Sequence, residues 1–148
     1  MTAPTSLPAG TLLGLARRGV LEAATHERPA ERYATAHLAA LRAAAAVHAC
    51  RARPASGPGA TARRSRPTSA WVLLSAVAPE LTEWAVFFAA GARKRAAAEA
   101  GLPTAVTPRE ADDLVRDAET FLAVVETTLG FDGHQLLLGS RFAVPAAG

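Results

Sequence analysis

The chain has 148 residues, half of them hydrophobic but only 5% aromatic, with one Cys and a net charge of +3. That length suits one domain with its own core, while a single Cys excludes a disulfide framework and the aromatic scarcity argues against a β-sheet core. Fifteen of the 16 basic residues are Arg, and five of them (Arg51, Arg53, Arg63, Arg64 and Arg66) fall in one short region, so the remainder carries 11 basic against 13 acidic residues. The positive balance is therefore a property of one segment, and the Arg and Ala abundance has the character of a high-GC coding bias.

Residues 1–9, with Pro4 and Pro8 among small residues, are expected to form a flexible tail. No basic stretch followed by a continuous apolar run opens the sequence, and no later stretch reaches the roughly 18 apolar residues of a membrane span, so a cytoplasmic protein without membrane contact is expected. From about Gly10 or Thr11 to Thr25, Leu12, Leu13, Ala16, Val20 and Ala23 recur at helical spacing, with Arg17, Arg18 and Glu22 on the other side. Gly14 and Gly19 within this helix suggest close packing against a neighbour.

After a short link at His26–Pro29 comes the segment Arg32–Arg53, in which ten of 22 residues are Ala and none is Gly or Pro. Ala has the highest helix propensity, and its small side chain lets other helices approach closely, so this segment is read as the central rod of a bundle. Tyr33, His37, Leu41 and Ala44 follow one another along one stripe. Cys50, near the end of the rod, is read as a small buried hydrophobe.

The helical pattern stops at Pro54. Residues 54–68, PASGPGATARRSRPT, have no apolar periodicity and are expected to form a mobile loop inserted within one domain. A third helix starts near Ser69 with Trp71, Leu74 and Val77, and Pro79 predicts a kink or break at Ala78–Pro79. A second helical segment then runs to about Ala100, with Leu81, Trp84, Ala85 and Phe88 inward and Gly101 at the cap. Arg93, Lys94 and Arg95 lie in its closing turns, where cations complement the helix dipole. The last helix has the clearest start: Thr107 as N-cap, Pro108 in the first turn and Glu110 as capping-box partner. Ala111, Leu114, Ala118, Phe121, Val125 and Leu129 form its apolar stripe, and Gly130 ends it. Residues 131–148 make a C-terminal tail with Leu136–Leu138 and Phe142 as apolar anchors. The expected fold is thus all-α, an antiparallel four- to five-helix bundle over residues 10–130.

Strong catalytic motifs are absent: no phosphate-binding Gly-rich loop, dinucleotide fingerprint, CxxC, HExxH or nucleophile elbow. No cofactor is expected. His37 and His48 share a face but lie roughly 16 Å apart at 1.5 Å rise per residue, too far for one metal, so no metal site is expected. What remains is Arg32 followed five positions later by His37.

On that motif, on the helix ERPAERYATAHLAALRAAAAV, the Arg/Pro-rich loop, SAWVLLSAVAPELTEWAVFFAAGARKRAAAEAG and the capped last helix, the chain resembles an actinobacterial branch of the HEPN superfamily (higher eukaryotes and prokaryotes nucleotide-binding), over about residues 10–130. The resemblance implies a helical bundle that often dimerises, and an activity found in many members, metal-independent ribonuclease. It further implies that Arg32 would stabilise charge on the scissile phosphate and that His37 would act as general base or acid on the ribose 2′-hydroxyl. Here the motif lies on helix 2 and Tyr33 follows the Arg. Residues five apart on a helix point about 140° from each other, so convergence needs an irregular first turn or a dimer. Otherwise Arg32 pairs with Glu27, Glu31 or a neighbouring helix, and His37 is a hydrogen-bonded residue at the core edge.

Three functions are left open. The first is a HEPN-type binding or regulatory module, meeting a protein partner or a second copy through an apolar helix face or the C-terminal tail; low aromatic content and the lack of a groove-forming polar cluster favour it. The second is the ribonuclease. The third is RNA or other nucleic-acid binding through Arg63, Arg64, Arg66, Arg93, Lys94 and Arg95, which would be steeply salt-dependent.

Overall fold

The computed structural model describes residues 7–51, 69–102 and 105–131. Six α-helices and one 3₁₀ turn lie among them: α1 Ala9–Thr25, α2 Pro29–Arg51, α3 Ala70–Val77, the 3₁₀ turn Pro79–Leu81, α4 Thr82–Ala90, α5 Ala92–Glu99 and α6 Pro108–Leu129. No described helix is long and apolar enough to cross a membrane. The whole of the proposed loop 54–68, with Arg63, Arg64 and Arg66, and the C-terminal anchors Leu136–Leu138 and Phe142 lie outside the described residues.

The Ala-rich α2 is the rod of the bundle, packing against α1, α3, α5 and α6. Six of its alanines (36, 39, 40, 43, 44 and 46) are buried. At Gly19 of α1, an added Cβ would lie 3.1 Å from the Ala39 Cβ, so this glycine sets the distance between α1 and α2. Gly14 has a different role from the expected one: although it is buried, a Cβ there would meet only Arg18 of its own helix, at an ordinary 3.7 Å. Cys50 is likewise corrected, being exposed near the end of α2 rather than buried.

The other half of the core adds an aromatic cluster to aliphatic residues such as Leu74 and Leu81. Of the eight aromatic residues of the sequence, six gather on this side: Tyr33, Trp71, Trp84, Phe87, Phe88 and Phe121. Phe88 is at their centre, with ring centroids 4.9 Å from Trp71, 5.1 Å from Phe121 and 5.8 Å from His37. Few aromatics therefore do not mean an even Ala and Leu core; those present are concentrated where α3 and α4 meet α6.

The helix boundaries follow local chemistry. Ser69 Oγ accepts from the Trp71 N–H at 3.2 Å and opens α3. Pro79 breaks the helix where expected, and the chain makes one 3₁₀ turn before α4. A second break was not expected: Gly91 separates α4 from α5, so the single helical segment to Ala100 is two helices. At the start of α6 the Thr107–Glu110 capping box is complete in both directions, at 3.0 and 3.1 Å. Gly130 ends the helix at φ 76°, a left-handed conformation that glycine adopts without a Cβ penalty.

Two charged or polar side chains are sealed in the core, His37 at 0% and Glu126 at 3% exposure. Glu126 of α6 pairs with Arg17 of α1, so Arg17, expected on the polar side of its helix, instead turns toward α6 to meet a buried carboxylate.

Candidate functional site

Arg32 lies in the first turns of α2, with its side chain 16% exposed and all three guanidinium nitrogens engaged. Nε donates to the His26 carbonyl at 3.1 Å, Nη2 to the Glu27 carbonyl at 3.1 Å and Nη1 to Asp112 Oδ1 at 2.9 Å. The planar donor fork suits a junction of three elements, tying the α1–α2 link to α2 and holding the first turns of α6 against both. The partner carboxylate comes from 80 residues further along the chain, not from Glu27 or Glu31.

His37 is fully buried among Tyr33, Trp71 and Phe88, with the Trp71 and Phe88 rings edge-on to it at 5.8 Å. Its Nε2 lies 3.1 Å from the Phe88 carbonyl oxygen. A carbonyl only accepts, so Nε2 carries the proton and His37 is the donor. The break at Gly91 explains why this carbonyl needs a partner: Phe88 is near the end of α4, where carbonyls leave the regular ladder, and the Gly91 N–H reaches it at 3.1 Å in a tightened last turn. Burial holds the His37 pKa below the ordinary imidazole value, opposed in part by the bond to Phe88. The ring is thus a neutral donor stitching α2 to the end of α4.

The structure does not bring Arg32 and His37 to a common cleft on α2. One is committed to the α1–α2 link and α6, the other to α4. Of the basic residues named for nucleic-acid contact, Lys94 pairs with Glu110, Arg95 Nε donates to Glu99 Oε1 at 3.0 Å and Arg93 is exposed. Among the described residues no three His, Cys, Asp or Glu side chains converge as a metal ion would require.

Beside His37 lies a feature that the sequence did not announce, a cavity of about 510 Å³ between α2, the α4–α5 junction and the first half of α6. Tyr33, His37 and Phe88 line it from the core side, and Val86 and Phe87 stand at its mouth, 64% and 44% exposed. Along α6, Glu110, Asp113, Leu114 and Asp117 line the opposite wall; their spacing of three, four and seven puts them on one helix face. Gly91 completes it: a Cβ there would come within 2.8 Å of the Tyr33 hydroxyl. Burial raises the Tyr33 pKa, and burial with the neighbouring Asp113 charge raises that of Asp117.

An all-α bundle around an Ala-rich rod, with an Arg-x₄-His motif on that rod, is the class of architecture that the fold and site define. A model of the SAV_6107-like HEPN family matches residues 23–126, and the chain belongs to that family and so to the HEPN superfamily. The match begins at the end of α1 and covers α2 to nearly all of α6, taking in both Arg32 and His37. No curated protein and no solved structure matches the chain.

Proposed function

We propose that this HEPN domain is a binding and regulatory module in which Arg32 and His37 hold the bundle together and do not cut RNA. The observation that carries this reading is the place of His37. A general base must come within hydrogen-bond reach of the proton it abstracts, and this imidazole is 0% exposed with its Nε2–H given to the Phe88 carbonyl. A ribose hydroxyl finds no accessible atom of the ring in this arrangement. Arg32 supports the same conclusion, since binding a phosphate would take its guanidinium from three existing acceptors.

The α3–α4 segment offers a surface for the binding role. Val72, Val86 and Phe87 are 60%, 64% and 44% exposed, and such apolar groups on neighbouring helices suit a protein partner, a second copy included. The test of the non-catalytic reading is cleavage of single-stranded RNA in EDTA by the purified chain. Wild type and His37→Gln, which keeps a neutral donor for Phe88, are expected to be equally inactive. Wild-type cleavage that disappears in both a folded His37→Gln and a folded Arg32→Lys variant would overturn it.

A further inference from the structure

Aromatic side chains bridge α4 and α6: the rings of Trp84 and Phe88 pack on Phe121 with centroids 5.5 and 5.1 Å away. On the next face of α4, Val86 and Phe87 stand outward, and across a groove from them α6 presents Leu114 and Asp117. Adjacent large apolar side chains left in solvent beside a concave wall are the mark of a covered surface. The edge of the groove is polar at one point. Arg116 leans to Asp113 at 3.7 Å, and the partly buried Asp117 has no ion-pair partner among the described residues.

The end of α6 brings one occupant within reach. Gly130 in its left-handed conformation and the Phe131 N–H, bonded to the Glu126 carbonyl at 2.8 Å, close the helix with a chain reversal. Phe131 then packs against the core, so the chain leaves α6 turned toward the bundle. Asp117 lies 12 residues before Leu129, about 18 Å along the axis at 1.5 Å per residue. Leu136–Leu138 follow Phe131 by five to seven positions, a span of up to about 17–23 Å at 3.3 Å per residue, and Phe142 has up to about 36 Å. Residues 132–148 also carry the complementary chemistry: three consecutive leucines and Phe142 for an apolar groove, and Arg141 for a carboxylate at its edge. Their one acid, Asp132, stays beside the end of α6 in the sequence.

We propose that the C-terminal segment 132–148 of the same chain covers the groove between α4 and α6: Leu136–Leu138 and Phe142 seat on Val86, Phe87 and Leu114, and Arg141 pairs with Asp117. The proposal rests on the reading of the α3–α4 segment as the binding surface and names its resident occupant. Tethering supplies the segment at an effective concentration in the millimolar range, so individually weak apolar contacts suffice. A partner that uses Val86 and Phe87 must first displace it, which makes the segment a built-in competitor for that face.

The test uses the ¹⁵N-labelled full chain carrying a nitroxide on Ser140→Cys in a Cys50→Ser background, the exposed Cys50 being the one native thiol. The amide signals of Val86, Phe87, Leu114 and Asp117 are expected to broaden, and to recover when the nitroxide is reduced. In a mixture of ¹⁵N chain without nitroxide and spin-labelled chain without ¹⁵N the broadening should vanish, because the occupant is the chain's own segment. Val86→Glu and, in the segment itself, Leu137→Glu should each restore most of the lost intensity; the second lies outside the bundle and decides the matter if the first disturbs the fold. No broadening on α4 and α6, broadening that persists in the mixed sample, as a second copy's segment would cause, or broadening unchanged by Leu137→Glu would each overturn the proposal. None of these outcomes bears on RNA cleavage, so the two readings fall separately.

Discussion

Replacing Arg17 by Met would strip Glu126 of its partner while keeping an apolar stem of similar length. Glu126 is 3% exposed and lies on the α6 face that meets α1, so its carboxylate would be left charged in the core or forced to take up a proton. Breaking a buried pair from one side costs about 3–5 kcal/mol. The Arg17 side chain is 21% exposed, so water reaches the edge of the pair and the lower figure, about 3 kcal/mol, applies. Against a total stability of roughly 5–15 kcal/mol this is a large fraction, and at about 3 °C per kcal/mol for a chain of this size it lowers Tm by about 10 °C. Glu126→Leu should cost less, because the Arg17 head can turn to solvent. The double variant Arg17→Met, Glu126→Leu should return to within about 1 kcal/mol of wild type. Urea unfolding followed by far-ultraviolet circular dichroism, with m held constant across the set, measures all three. An Arg17→Met cost below about 1 kcal/mol, or a double variant no better than the worse single, would refute the assignment of the pair as buried and coupled.

Three further perturbations probe other joints. Because His37 titrates below its ordinary value, the unfolded chain takes up a proton below about pH 6.5 that the folded chain does not. Stability should therefore fall as pH drops from 6.5 toward the folded-state value, by up to about 1.4 kcal/mol per pH unit; His37→Gln should flatten that limb, and urea midpoints between pH 7 and 5 would show it. Phe88→Ala removes the ring at the centre of the aromatic cluster and should cost about 3–5 kcal/mol in the same unfolding assay. Thr107→Ala opens one side of the capping box and should cost about 1 kcal/mol, with hydrogen exchange rising first at the Glu110 amide that it caps.

What the sequence made legible is what is encoded within a few residues. Thr107, Pro108 and Glu110 identify the start of α6, Gly130 its end and Pro79 the break after α3, because each acts on its own backbone. The Ala-rich α2 was legible for the same reason. Gly91 was less so: an isolated glycine in an Ala-rich run usually continues as helix, and only the Tyr33 hydroxyl, 58 residues earlier in the chain, shows why a side chain is not tolerated there. Arg32 and His37 were singled out by their spacing, but their partners, Asp112 and the Phe88 carbonyl, are set by tertiary packing. The cavity depended on the same kind of distant meeting, with Asp113 and Asp117 resembling an ordinary solvated helix face until Tyr33 and Phe87 are placed opposite. Glu126 gave no local sign of burial; its partner lies more than a hundred positions away.

The rod of buried alanines makes the domain's tolerance to mutation lopsided. An alanine has almost nothing to lose by truncation, so positions 36, 39, 40, 43, 44 and 46 are vulnerable chiefly to growth. A single extra pair of methyl groups, as in Ala39→Val, has to be accommodated where Gly19 already brings the neighbouring helix to 3.1 Å for a hypothetical Cβ, and overpacking of this kind typically costs about 1–3 kcal/mol. In the aromatic half the danger is reversed, since every loss of a ring leaves a hole. One small fold thus has two regions that fail by opposite routes, and drift in the sequence should leave different marks on each: fixed small residues along α2 and fixed bulk along α3 and α4.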